Sequence, residues 1–504
     1  MFALLSSFLV NVDLPAEQWV QSSGDLAREA YLVREVAQNT EALCTYLNDR
    51  SDELADTPTA LVKVGRVTYP VVNAFAQFQA RPGGQDATQG LQAALGEATT
   101  VFGQALAEMA PAERYGPNVV FLPTVDGQST YHYNQVLTVG QPNTIICGVG
   151  ITLMAEQPDQ SSIVVTGDNV HIHGVHLRGQ SITQNTWPER WEGEGYTAPT
   201  KFADGFPYRG AGSSNASGFV LRSDNIIVSD TDDLGGVRGG FRLYGATNVL
   251  LYGNRIERAH SDSIHITHES SNVTVRDNLI INSGDDCISV VPYNAPNDGN
   301  YSDSTVENVL VENNVCQGSR TRGLTAIGGR NLVFRDNLIE GTLNTGILVF
   351  PADEYTDEPA QDISILNNII KDSARAERLS HLSGIGLIGG QENNIVNVLV
   401  AGNEIYEVGP RAFGSIRIKH SNSCCAAGDT VSIVNNTAYG HNVSLSVDEG
   451  YDNLYVEDTL NNGRVEDGFG LESHATGGTY AGVVPEQVGH IGDIRILTYT
   501  DLSQ

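Results

Sequence analysis

Seven times between residues 249 and 437 the chain returns to one pattern: a short alternating apolar strand, an Asn-centred turn, and further apolar residues. The instances begin at Val249, Val273, Val309, Leu332, Ile363, Val398 and Val431, and they place Asn254, Asn278, Asn314, Asn337, Asn368, Asn403 and Asn436 at one equivalent position. A unit of roughly 20 to 30 residues cannot bury its apolar face alone, whereas stacked units can. Parallel strands then lie about 4.8 Å apart up the stack, with Ile, Val and Leu at alternate positions filling the interior. The pattern therefore predicts an all-β fold, a right-handed parallel β-helix, in which the repeated asparagines pair side-chain amides with backbone at the same bend of every coil.

Composition agrees with many short strands and turns: 53 Gly against 29 Lys and Arg, with a 40% hydrophobic fraction. The net charge of −31 opposes nucleic acid and an anionic membrane surface, because both need basic clusters. No apolar run approaches the roughly 20 residues that span a bilayer. The apolar start, Met1 to Val10, lacks the basic region and small-residue cleavage site of a secretory signal and reads as retained structure.

Three regions are expected. Residues 1–80 form a helical attachment or oligomerising region, since Leu26, Val33, Thr40, Leu47 and Leu54 recur every seven between about 15 and 56. Residues 81–470 form the β-helix, and 471–504 a cap or tail. The β-helix opens with a helix from Asp86 to about Met109 and a strand from Val119 to Pro123. Such a helix covers the otherwise open edge of the first coil, as in the opening caps of the pectin-lyase-like superfamily, which this segment resembles.

Long loops at about 180–215, 291–305, 351–361 and 372–382 would wall one side. The first carries Trp187, Trp191, Tyr196, Phe202, Phe206 and Tyr208, which serve either as sugar-stacking faces or as packing onto the coils. Among six cysteines no zinc-type spacing occurs. Cys287 and Cys316 fall on neighbouring coils, as a disulfide or as two buried thiols.

Aligning successive coils turns Ile264, Ile288, Leu324, Ile347, Ile385 and Ile416 inward. His265, Ser289, Thr325 and Arg417 then share an outward column, with Asp262, Asp286 and Arg322 on the coil edge before it. Here the chain resembles the polygalacturonases, pectin-hydrolysing glycosidases of that superfamily, over roughly residues 240 to 420. Their Asn-Thr-Asp-Gly-Ile is similar to His260-Ser261-Asp262-Ser263-Ile264, and their Gly-Asp-Asp-Cys-Ile is Gly284-Asp285-Asp286-Cys287-Ile288. Their Arg-Ile-Lys is Arg417-Ile418-Lys419, and their Gly-His-Gly is Thr321-Arg322-Gly323.

The resemblance implies a polysaccharide-degrading glycoside hydrolase without cofactor. Asp285 would be the acid, Asp262 and Asp286 would position water, and His265, Arg322, Arg417, Lys419, Trp187 and Trp191 would bind substrate. A metal site is not expected, although Asp230, Asp232 and Asp233 supply oxygen ligands of the kind a calcium-dependent lyase uses. The same acids could be turn residues, and His265 and His268 either proton partners or surface histidines. The alternative function is a phage tailspike or surface adhesin binding host glycan, with or without depolymerase activity. That setting implies an extracellular or virion protein, a likeness to homotrimeric spikes, and no nucleic-acid or membrane partner.

Overall fold

The computed structural model describes residues 39–96, 117–156, 162–179, 218–293, 305–376, 382–419 and 430–439, apart from short gaps inside these ranges, and a few strand segments between 445 and 495. The aromatic loop with Trp187 and Trp191, the first half of the heptad region and most of 471–504 lie outside the described residues. The chain divides into two compact units. Unit 1 comprises Met1–Thr183, Gly212–Val237 and Asn248–Arg255; unit 2 comprises Gln184–Ala211, Arg238–Thr247 and Ile256–Gln504. The expected boundary near residue 80 falls inside unit 1.

In unit 1 a helix at residues 39–49 lays Leu43, Cys44 and Leu47, all fully buried, against Val71, Val119, Phe121, Ile145 and Cys147. Cys44 is disulfide-bonded to Cys147. Their separation of 103 residues left no local sequence signal for this bond. An antiparallel hairpin, Thr59–Val64 with Val67–Asn73, leads into a parallel series: Asn118–Phe121, Thr144–Ala155, Val170–Gly179 and Ile226–Ser229. The expected cap helix is present at residues 88–96. Its Gln92 accepts from the backbone N–H of Thr138 at 2.9 Å and donates to the carbonyl of Thr138 at 3.1 Å. Among the described residues Leu137–Val139 pairs with one strand only, Ile163–Val165, and this side chain takes up edge hydrogen bonds at Thr138.

Unit 2 is a right-handed parallel β-helix. One face is the stack Phe241–Tyr244, Ile264–Thr267, Ile288–Val291, Leu324–Ala326, Ile347–Val349, Ser383–Ile388, Gly414–Lys419 and Leu445–Val447, every neighbouring pair parallel. Ile264, Ile288, Leu324, Ile347, Ile385 and Ile416 are in register and at most 1% exposed, as the alignment of coils predicts. A second stack runs from Ser271–Arg276 through Glu307–Glu312, Gly329–Arg335, Ala360–Leu366 and Ile395–Ala401 to Thr430–Val434.

The asparagine ladder joins Asn278, Asn314, Asn337, Asn368, Asn403 and Asn436. Each Nδ2 donates to the next Oδ1 at 2.8 to 3.0 Å, and each backbone N–H donates to that same oxygen. The residue before each rung has positive φ: Asp277, Asn313, Asp336, Asn367, Gly402 and Asn435. That left-handed turn admits only Gly, Asn or Asp cheaply, which accounts for the polar pairs in the repeat. Asn272, Asn308 and Asn331 form a second, shorter ladder at another bend.

Candidate functional site

The site grows from the edge where three coils of unit 2 enter the first strand stack. Backbone bonds fix that edge: Asp285 N–H donates to Ser261 O, Ser263 N–H to Asp286 O, Thr321 N–H to Asp285 O and Asn344 N–H to Thr321 O. Asp262 and Asp286 therefore stand two residues before Ile264 and Ile288, and Arg322 two before Leu324. Asp285 and Thr321 stand three residues before those same anchors. The Cys287–Cys316 disulfide, left open by sequence, is formed and ties down the residue directly after Asp286.

Asp262 Oδ1 accepts the backbone N–H of Asp286 at 3.0 Å. Its Oδ2 accepts Ser289 Oγ at 2.9 Å and faces His265 Nδ1 at 2.6 Å, while Ser289 Oγ lies 2.8 Å from that same nitrogen. Ser and Asp thus share one ring nitrogen, which is not the relay geometry of a nucleophilic serine. Burial would raise the Asp262 pKa, but His265, the Asp286 amide and the Ser289 hydroxyl outweigh it and hold the acid at about 2. Asp262 is ionised at neutral pH.

Asp286 is its opposite. Burial pushes its pKa up; Arg322 opposes this, with Nη1 at 2.7 Å and its backbone N–H at 3.1 Å, while Asp285 and Asp262 add to the rise. The balance lies at about 6. Thr321 Oγ1 contacts Asp285 Oδ1 at 2.7 Å and also Asp286 Oδ1. A hydroxyl has one hydrogen, so Thr321 donates to one of the two carboxylates at a time. The Thr321 hydroxyl, as a donor to the ionised form, works against the rise at Asp286.

One oxygen from each of Asp262, Asp285 and Asp286 lies within 4.8 Å of the others. The side chains of Asp262 and Asp286 are 13% and 4% exposed; Asp285 is half-buried, and the Arg322 side chain is 24% exposed. The structure therefore unites Asp262, Asp285, Asp286, His265 and Arg322. It separates Arg417 and Lys419 from them: Arg417 aligns with Gly386, Leu348 and Thr325 in turn, three coils or about 14 Å beyond the strand that Arg322 precedes. Asp230 lies in unit 1, 3.3 Å from His173 Nδ1, with a pKa raised to about 6 by burial and by Glu41.

The outward column is not open: Ser289, Thr325 and Arg417 are at most 5% exposed and His265 is 9%. Tyr293, Phe350 and Tyr355 pack with Val291, Ile327 and Ala352 beyond the ends of these strands. His265 stacks on Tyr293 at 5.7 Å, and His268 lies on Tyr244 at 3.6 Å with 1% exposure, so neither is a surface histidine. Sequence reasoning missed Thr321 and Tyr293. Thr321 was findable as the residue matching Asp285 in the coil alignment, whereas Tyr293 follows its strand and carries no repeat signal.

Fold and site together define a right-handed parallel β-helix protein with three carboxylates on one coil edge. The sequence profile of the NosD family, periplasmic copper-binding proteins, matches residues 161–376. Among solved structures the chain is similar to a mannuronan C-5 epimerase A-module of Azotobacter vinelandii, at 15% identity over 76% of this chain and 97% of that one, with a TM-score of 0.46. It is similar to the catalytic domain of a GH87 α-1,3-glucanase variant in complex with nigerose, at 15% identity, 76% and 68% coverage and a TM-score of 0.47. A third is the Dettilon tailspike protein, at 14% identity, 75% and 68% coverage and a TM-score of 0.45. No curated protein matches the chain.

Proposed function

We propose that unit 2 is a polysaccharide-degrading glycoside hydrolase acting by carboxylate acid/base chemistry. The observation that carries this reading is the trio Asp262, Asp285 and Asp286, brought from two adjacent coils to within 4.8 Å, with one member ionised and another pushed up to about 6. The opposed environments of Asp262 and Asp286 let the cluster hold a proton at neutral pH, and the roles within it follow the polygalacturonase resemblance. Asp285, the less buried of the doublet, meets the leaving glycosidic oxygen as donor. Asp262 orients the attacking water, with Asp286 beside it. Arg322, partly exposed and fixed on Asp286, contacts the sugar.

The three carboxylates do not fit copper, which favours imidazole and sulfur donors; they suit hard cations instead. Two disulfides favour an extracytoplasmic setting, on a cell surface or a virion. Among the described residues no helix is long and apolar enough to cross a membrane. A homotrimer belongs to the same proposal.

The test is release of new reducing ends from a glycan panel. Asp285→Asn should lower that rate by roughly 10²- to 10⁴-fold with the fold intact. Glycan binding without any release, in wild type as in the variant, would instead identify a binding-only adhesin, whose buried acids serve as structure.

A further inference from the structure

The coil edge that carries the acids continues to an exposed aromatic ring. Phe413 stands three residues before Ile416, as Asp285 stands before Ile288, Thr321 before Leu324, Asn344 before Ile347 and Leu382 before Ile385. Its N–H donates to Leu382 O at 2.9 Å, which seats it on that edge. Four coils separate Phe413 from Asp285, about 19 Å along the stack.

Phe413 is 44% exposed, and it and Ile369 are the only large hydrophobic side chains so exposed among the described residues. The two differ in kind. Ile369 belongs to the strand Ile369–Lys371, on another face of the coil. Phe413 has a backing: the Arg417 guanidinium, 5% exposed, lies 3.6 Å from its ring centroid. A guanidinium against an aromatic face is held by the ring quadrupole and by stacking. It fixes the ring, and Phe413 keeps 44% of its surface in solvent.

We infer that Phe413, held by Arg417, is a distal sugar-stacking subsite for a glycan chain lying along the coil edge from the acid cluster. The inference rests on the reading of unit 2 as polysaccharide-acting. It gives Arg417 a different task from that implied by the Arg-Ile-Lys resemblance, because the guanidinium supports the ring. It also sets the substrate class: a linear chain long enough to span four coils, so that affinity depends on length.

The experiment is binding of size-graded fragments of polygalacturonate, alginate and dextran to the whole chain, by titration calorimetry. For a glycan that binds, wild type should show a step in affinity at the length that reaches Phe413. Phe413→Ala should remove that step, a loss of about tenfold on the long fragments, and Phe413→Trp should restore it. A step as high in Phe413→Ala as in wild type, or an equal loss at every length, overturns the distal subsite alone. Absence of binding by every fragment overturns it together with the hydrolase reading.

Discussion

Two bends of unit 2 sit at opposite extremes of repetition. At one, Asn278, Asn314, Asn337, Asn368, Asn403 and Asn436 place the same side chain on every coil, and each amide is consumed by its neighbours. At the other, equivalent positions carry Asp262, Asp286, Arg322, Thr345, Ser383 and Gly414 in turn, preceded by Ser261, Asp285, Thr321, Asn344, Leu382 and Phe413. A stack of identical amides is self-satisfying, because each has both a donor and an acceptor. A stack of identical carboxylates would repel itself, so acids gathered there need Arg322, His265 and hydroxyls around them. In a solenoid, sameness along the axis marks structure, and departure from sameness on one edge marks where chemistry can be placed.

That contrast can be broken by a pair of substitutions with opposite consequences. Asp285→Asn, the larger effect, should remove nearly all turnover while the melting temperature stays close to wild type. Asn337→Ala should do the reverse. Asn337 Nδ2 donates to Val311 O, Arg335 O and Asn368 Oδ1, and its Oδ1 accepts the Asn314 amide, so truncation strands buried carbonyls and donors. At about 1 to 3 kcal/mol for each unsatisfied group, the loss should be about 3 kcal/mol in urea unfolding, with turnover of the folded fraction unchanged. If the ladder variant lost turnover without losing stability, the division between the two bends would be wrong.

The same contrast decides what could be read from sequence. The ladder and the inward column of Ile264, Ile288, Leu324, Ile347, Ile385 and Ile416 were legible because periodic burial writes itself into periodic residues. The acid edge was legible through Gly284 to Ile288, since a tandem Asp before a core Ile breaks the repeat. The burial of His265 and His268 was not, because Tyr293, whose ring lies against both, follows its strand and obeys no period. Nor was the Cys44–Cys147 bond, which depends on how a helix crosses strands distant in sequence. The spread of Arg417 from Arg322 was foreseeable by counting coils, and Trp187 and Trp191 fall outside the described residues.

A smaller effect sharpens the role of Thr321. If its hydroxyl bridges Asp286 and Asp285, Thr321→Val should lower kcat by about tenfold, the worth of one good hydrogen bond, and move the acid limb of the pH profile. Thr321→Ser should restore both. A valine variant with lower kcat but an unmoved pH profile would reduce Thr321 to packing.

The smallest effect is on stability against pH, where Asp262 and Asp286 act with opposite sign. Asp262 has a folded pKa of about 2, below the unfolded value of about 3.9, so it contributes stability above pH 4 that disappears as pH falls towards 2. The folded pKa of Asp286 is raised to about 6, so its contribution is complete below about 3.9 and is lost as pH rises through 6. Between those limits both favour the native state. Asp286→Asn presents a neutral amide at every pH and removes the second dependence. Its melting temperature should therefore fall less than that of wild type between about pH 5 and pH 7, whatever its absolute value once Arg322 faces an amide in place of a carboxylate. Differencing the two proteins cancels Asp230, raised to about 6, and the buried His171 and His173, whose pKa values are lowered by burial so that only their unfolded forms take up protons in this window. Equal falls in the two proteins would show that Asp286 is ionised throughout.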